Sequence, residues 1–189
     1  MTFQKPTTEP DCPLGGPTRY SKINLPPYRF IPGINAHPVR DPDGHMHGHE
    51  ETHESILPAK QWQESSAFLY GVDLYNRAFW WESHEQWEGL WLQTDKTGTQ
   101  AQFLQGLIQI SASFIKWYLG QKEGMSRLYE IGFSRLKTVE AQHSVYMGLN
   151  LQTHLNKLEQ HFTAALQHSG IPVESPLINY PFLELAINL

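Results

Sequence analysis

Cysteine is almost missing from this chain: one, Cys12, stands among 189 residues. A lone thiol cannot close an internal disulfide, and this one, set among prolines, is a poor candidate for a nucleophile. Positive charge is scarce too. The 14 basic residues are scattered and outweighed by 19 acidic ones, for a net charge of -5. That leaves no stripe for nucleic acid and no patch for an anionic membrane surface. Long apolar runs are lacking as well. The most apolar stretch, "GLIQISASFIKWYLG" at 106–120, is too short to span a bilayer and is interrupted by Gln109 and Lys116, so it reads as a core helix. The opening "MTFQKPTTEPDCPLGG" has no secretory apolar segment, and the expectation is a cytoplasmic protein. A Gly-x-Ser-x-Gly elbow, a phosphate loop and a dinucleotide fingerprint are also absent. Serine hydrolases, nucleotide hydrolases and nicotinamide enzymes thereby lose their usual sequence support. What remains is a protein expected to act on an unknown small molecule, if it is an enzyme.

Composition changes near residue 60. Residues 1–60 hold most of the prolines and five of the ten histidines, with no 3.6-residue apolar period, and read as a long irregular arm. Residues 61–168 read as an all-α domain, an irregular bundle of about five helices. The expected spans are Gln61–Asn76, Phe79–Thr94, Gln100–Leu119, Glu123–Val139 and Leu151–Gln167, with Ser65 or Ser66 capping the first. No alternating strand pattern stands out. The apolar tail, residues 169–189, is expected to lie extended over the bundle or against a second copy in a homodimer.

The second helix carries the puzzle, "WWESHEQWEGLW" at 80–91. At 100° per residue, Trp87 and Trp91 fall within about 20° of Trp80, His84 at about 40°, Glu88 at about 80° and Glu85 at about 140°. His84 lies within the tryptophan face with Glu88 on its shoulder, four residues on and able to meet it. Glu82, at about 200°, points away and is expected to be solvated. A carboxylate in aromatic surroundings needs a cation, a metal or hydrogen-bond donors. Asp73 and Asn76 on the first helix and Gln105 and Gln109 on the third are the expected neighbours, Asp73 fixing the tautomer of His84. His84, Glu85 and Glu88 are thus candidate catalytic residues. The competing reading is a polar network that only fixes helix packing. Two metalloenzyme patterns fail on spacing. The zinc-protease helix needs a second histidine where Glu88 stands, and the di-iron motif needs a glutamate where Trp81 stands.

In the arm, "HPVRDPDGHMHGHEETH" spaces His37, Asp41 and His45 four residues apart, and its Asp-Pro and Asp-Gly turns could fold the three together. With His84 and Glu88 they are candidate ligands for zinc, iron or manganese. His47, His49 and His53 read as solvated loop residues.

"GVDLYNRAFWWESHEQWEGLW", followed by "FLQGLIQISAS", resembles the domain of unknown function 309, a family of small all-helical bacterial and archaeal proteins. The arm's "PPYRFIPGINAHPVRDPDGHMHG" is similar to the leader of its longer members, so the resemblance covers roughly residues 26–140. Ser83 departs from the usual alanine before the histidine, and "SASFIKW" is bulkier than the family's run of small residues. The resemblance implies a compact helical fold and the polar positions above, and no established activity. Two expectations follow. One is a metal-dependent or acid/base enzyme, hydrolytic in kind, with its site between the second and third helices and the arm. The other is a helical interaction or scaffold protein.

Overall fold

Helix begins directly after Pro58. A computed structural model of the protein describes residues 19–49, 54–167 and 180–186. A 3-10 turn, Ala59–Glu64, is followed by α1 (Ser66–Tyr75), α2 (Trp80–Trp91), α3 (Thr99–Tyr118), α4 (Lys122–Glu140) and α5 (Leu151–Gln167). The fold is all-α, as expected. The leucine period set the limits of α5, and α3 and α4 differ from expectation by one residue at each end. The first expected helix splits at Ser65. That residue leaves helical geometry, and its side chain accepts the Phe68 N–H at 3.2 Å, capping α1.

One short strand pair escaped the sequence reading. β1 (Val145–Tyr146) pairs antiparallel with β2 (Leu149–Asn150) across Met147 and Gly148. Both turn residues have left-handed φ, 43° and 79°, as the tightest hairpin turns require. Two residues per strand are too few for alternation to register.

The core forms where α3 packs between α2 and α4, with α1 against α2 and α5 against α4. Trp80, Trp87, Phe68, Tyr75, Phe103 and Phe114 are fully buried within it. At the α3–α4 crossing a side chain on Gly132 would begin 3.0 Å from the Gly106 carbonyl, so glycine here lets the backbones approach this closely without a shift. On α5, Leu151, Leu155, Leu158 and Phe162 make the buried stripe.

Residues 180–186 lie extended against this bundle. Leu183 donates its N–H to Asn76 Oδ1 at 2.7 Å and accepts from Asn76 Nδ2 at 2.8 Å. Leu185 bridges to Leu149 and donates to the Tyr20 hydroxyl at 2.9 Å. No helix among the described residues is long and apolar enough to cross a membrane.

α5 buries one histidine among its leucines. His154 is 2% exposed, and among the described residues neither ring nitrogen has a hydrogen-bond partner. Burial pushes its pKa down to about 3, helped by Lys157 and opposed by a loose backbone contact at Phe182. The unfolded imidazole takes up a proton near pH 6.5 while the folded one does not. Stability is therefore complete above that pH and is lost progressively as pH falls from 6.5 towards 3. His154→Leu should remove this loss. Urea unfolding should show the variant gaining about 2 kcal/mol on wild type between pH 7.5 and pH 5. Parallel pH profiles for the two proteins would refute the assignment.

Candidate functional site

α2 is covered on two sides, and this decides where its polar residues end up. Trp80 and Trp87 are buried in the core, while Trp81 and Trp91 are half-buried at its margins. On the far side the arm closes over Glu82, which is 7% exposed and not solvated as its helical angle suggested. Glu82 Oε1 accepts the Phe30 N–H at 2.7 Å and lies 3.9 Å from His45 Nε2. Burial pushes this carboxyl's pKa up, and the His45 and Phe30 contacts draw it only part of the way back. Nothing periodic in the arm announces this pairing, because it depends on where an aperiodic segment happens to fold.

His84, Glu85 and Glu88 stay on the open margin, with side chains 25%, 40% and 42% exposed. His84 Nδ1 is 3.2 Å from Glu85 Oε1 and 4.0 Å from Glu88 Oε2. One ligand atom from each of the three lies within 4.8 Å of the others. One imidazole and two carboxylates form a donor set that zinc, iron and manganese accept, and three ligands leave further coordination positions open. The residues present therefore fit such an ion.

Three of the four expected neighbours serve other contacts. Asp73 is fully buried and accepts from the Tyr20 N–H and the Ser21 N–H, both at 2.8 Å, and from Ser21 Oγ at 2.6 Å. It faces the arm, not His84. Asn76 holds Leu183 of the tail. Gln109 accepts from Arg135 Nε at 3.1 Å, which ties α3 to α4, and Gln105 is half-buried on the same side of α3. Ser83 is buried, with its Oγ 3.1 Å from both the Trp80 carbonyl and Ser111 Oγ on α3.

The arm's histidines do not gather into a ligand set with Asp41. Asp41 accepts the His37 N–H at 2.6 Å, and His37 Nδ1 accepts from the Val39 N–H at 3.2 Å. Both side chains are thus occupied in building the turn. Gly44 completes it, since a side chain there would start 2.3 Å from the His37 and Pro38 carbonyls. The His37 ring packs 5.2 Å from that of Trp81, and His45 turns to Glu82. Among the described residues, the metal-capable grouping of three or more is His84, Glu85 and Glu88. His47 and His49 are exposed, as expected. His53 and Cys12 lie outside the described residues. A cleft of about 470 Å³ beside Trp62, Tyr146 and Gly148 has no histidine, cysteine or carboxylate in its lining.

Residues 68–128 match DUF309, a domain of unknown function. The expected resemblance to this family holds over this span. The DUF309 segment takes in nearly all of α1, α2 and α3 and the start of α4. It contains His84, Glu85 and Glu88 together with Asp73, Asn76, Glu82, Gln105 and Gln109. The arm residues that cover Glu82 and the tail residues that bind Asn76 fall outside it. No curated protein and no solved structure gives a significant match.

Proposed function

We propose that His84, Glu85 and Glu88 hold a divalent transition metal, zinc, iron or manganese, and that the protein is a metal-dependent hydrolytic enzyme acting on a small molecule. The observation that carries this reading is the convergence of one imidazole and two carboxylates within 4.8 Å on a half-exposed helix face. An ion bound there would supply Lewis acidity and a lowered pKa for bound water. The chain's own contribution is to aim three donors from one turn of α2, with Trp80 and Trp87 buried beneath them and fixing the helix in place. Whichever carboxylate is less engaged at the ion is the natural proton acceptor.

A second reading has its own observation. The 3.2 Å contact to Glu85 Oε1 can hold His84 in the tautomer with hydrogen on Nδ1, leaving Nε2 as a general base without a metal. A role confined to fixing helix packing is less well supported at this cluster. Its side chains are a quarter to two-fifths exposed, and the buried polar anchors are Asp73, Asn76 and Glu82 instead.

Elemental analysis and calorimetric titration with zinc and manganese test the metal reading on untagged protein. Wild type should bind about one equivalent, and His84→Ala and Glu88→Ala should each weaken binding at least roughly 100-fold, because even outer-shell partners are worth 10–100-fold. Both variants should keep the wild-type circular dichroism spectrum. A wild-type protein that takes up neither metal overturns the metal reading and leaves the general-base one. Variants that fail to fold would return the cluster to a packing role.

A further inference from the structure

The arm is well held at both ends and poorly satisfied in its middle. At one end Asp73 accepts three hydrogen bonds from Tyr20 and Ser21, and the Tyr70 hydroxyl donates to the Asn24 carbonyl at 2.9 Å. At the other, Gln93 at the end of α2 donates to the Glu54 carbonyl at 2.9 Å and accepts the Ile56 N–H at 3.2 Å. Between these anchors, where residues 28–47 cover the bundle, three buried polar atoms have no hydrogen-bond partner among the described residues. They are Arg29 Nη1, His45 Nε2 and Glu82 Oε2.

The contacts that remain are mainly apolar, with Phe30 and Ile31 buried at 8% and 4% exposure. Phe30 donates one backbone hydrogen bond to Glu82, and Phe30 and His37 pack edge-on against Trp81, each with ring centroids 5.2 Å away. Arg29 lies 5.7 Å over the Tyr118 ring, and among the described residues it makes no ion pair. Lifting the segment would return all three atoms to water, and buried polar groups gain most by doing so when they are unpaired. Meanwhile the turn's own bonds, Gly44 N–H to Asp41 O at 2.8 Å and Met46 N–H to Pro38 O at 2.9 Å, are internal and need not break.

We propose that residues 28–47 form a strap that lifts from α2 as a preformed unit while the helical core stays folded, uncovering Trp81 and Glu82 on the helix that carries His84. Its ends are anchored and the bonds that dock its middle are fewer, so it opens like a handle. The proposal does not depend on a metal at His84. It gives the arm a role in controlling access to this side of α2, whatever the chemistry there.

Native-state hydrogen exchange of the full chain tests it. The Phe30 amide reports docking directly, and buried amides of α3 such as Leu107 and Ile110 report global unfolding. Phe30 should exchange at least roughly 100-fold faster than the α3 amides, the signature of sub-global opening. Glu82→Gln keeps the acceptor for Phe30 N–H, removes the buried charge and offers His45 Nε2 a donor. It should slow Phe30 exchange about tenfold and leave the α3 amides unchanged. Arg29→Met, which deletes an unpaired buried donor and keeps its apolar stem, should act in the same direction. Phe30 exchanging at the rate of α3 would overturn the strap, as would both substitutions leaving the rate unchanged or raising it.

Discussion

Gly71→Ala should destabilise the protein by about 3 kcal/mol or more, at the upper end of what overpacking a core costs. A side-chain carbon at Gly71 would start 2.2 Å from Trp87 Nε1 and 2.7 Å from Cδ1 and Cε2 of the same ring. Neither partner can give way cheaply. Trp87 is fully buried, its Nε1 donates to the Phe68 carbonyl at 3.3 Å, and its ring lies 6.1 Å from that of Tyr75. Accommodating one methyl group therefore means separating α1 from α2. In a chain of this size the melting temperature should fall by roughly 6–12 °C. Trp87→Phe, harmful alone, should be less harmful in the Gly71→Ala background because the smaller ring frees the contested space. Additive losses in that double-mutant cycle would mean that the helices relax in some other way.

Asp73→Ala is expected to release the start of the arm. The carboxylate is wholly buried and accepts two backbone N–H groups and one hydroxyl, with Arg19 Nε at 3.5 Å. Removing it leaves those donors without their acceptor, a loss of about 3 kcal/mol in docking, or roughly 150-fold in the docked population. Trypsin cleavage at Lys22, Arg29 and Arg40 should accelerate in proportion, since proteolysis follows the open population when opening is fast. Asp73→Asn, which keeps one acceptor oxygen, should fall between. Cleavage at the wild-type rate in Asp73→Ala would show that the arm is held elsewhere.

The helices were legible in the sequence because burial on one face imposes a period, and the five leucine-type positions of α5 marked its limits residue by residue. The grouping of His84, Glu85 and Glu88 was legible for the same reason, since neighbours on a helix surface follow from spacing. Their surroundings were not. The angular reading placed His84 in a buried face, but the margins beside it, Trp81 and Trp91, are only half-covered. It placed Glu82 in solvent because it treated α2 as having one buried side. The second side is made by Phe30 and His45, some 50 and 37 residues earlier in the chain, and no local pattern encodes contacts over that distance. Asp73 and Asn76 were expected beside His84, and they bond elsewhere. Their partners proved to be the arm and the tail, where hydrogen-bond chemistry permits many pairings and periodicity selects none.

The contact between the Tyr20 hydroxyl and the Leu185 N–H joins residues 165 positions apart in sequence. Tyr20 is also a donor to Asp73, so both ends of the described chain converge on α1. Closing so long a loop is entropically slow, and it rewards the chain only after the helices are in place. During synthesis the N-terminal half must therefore wait, with α1 incompletely covered, until residue 185 has emerged from the ribosome. Leu183 and Leu185 complete the seat of α1 from far along the chain, which makes the finished fold a clasp that shuts late.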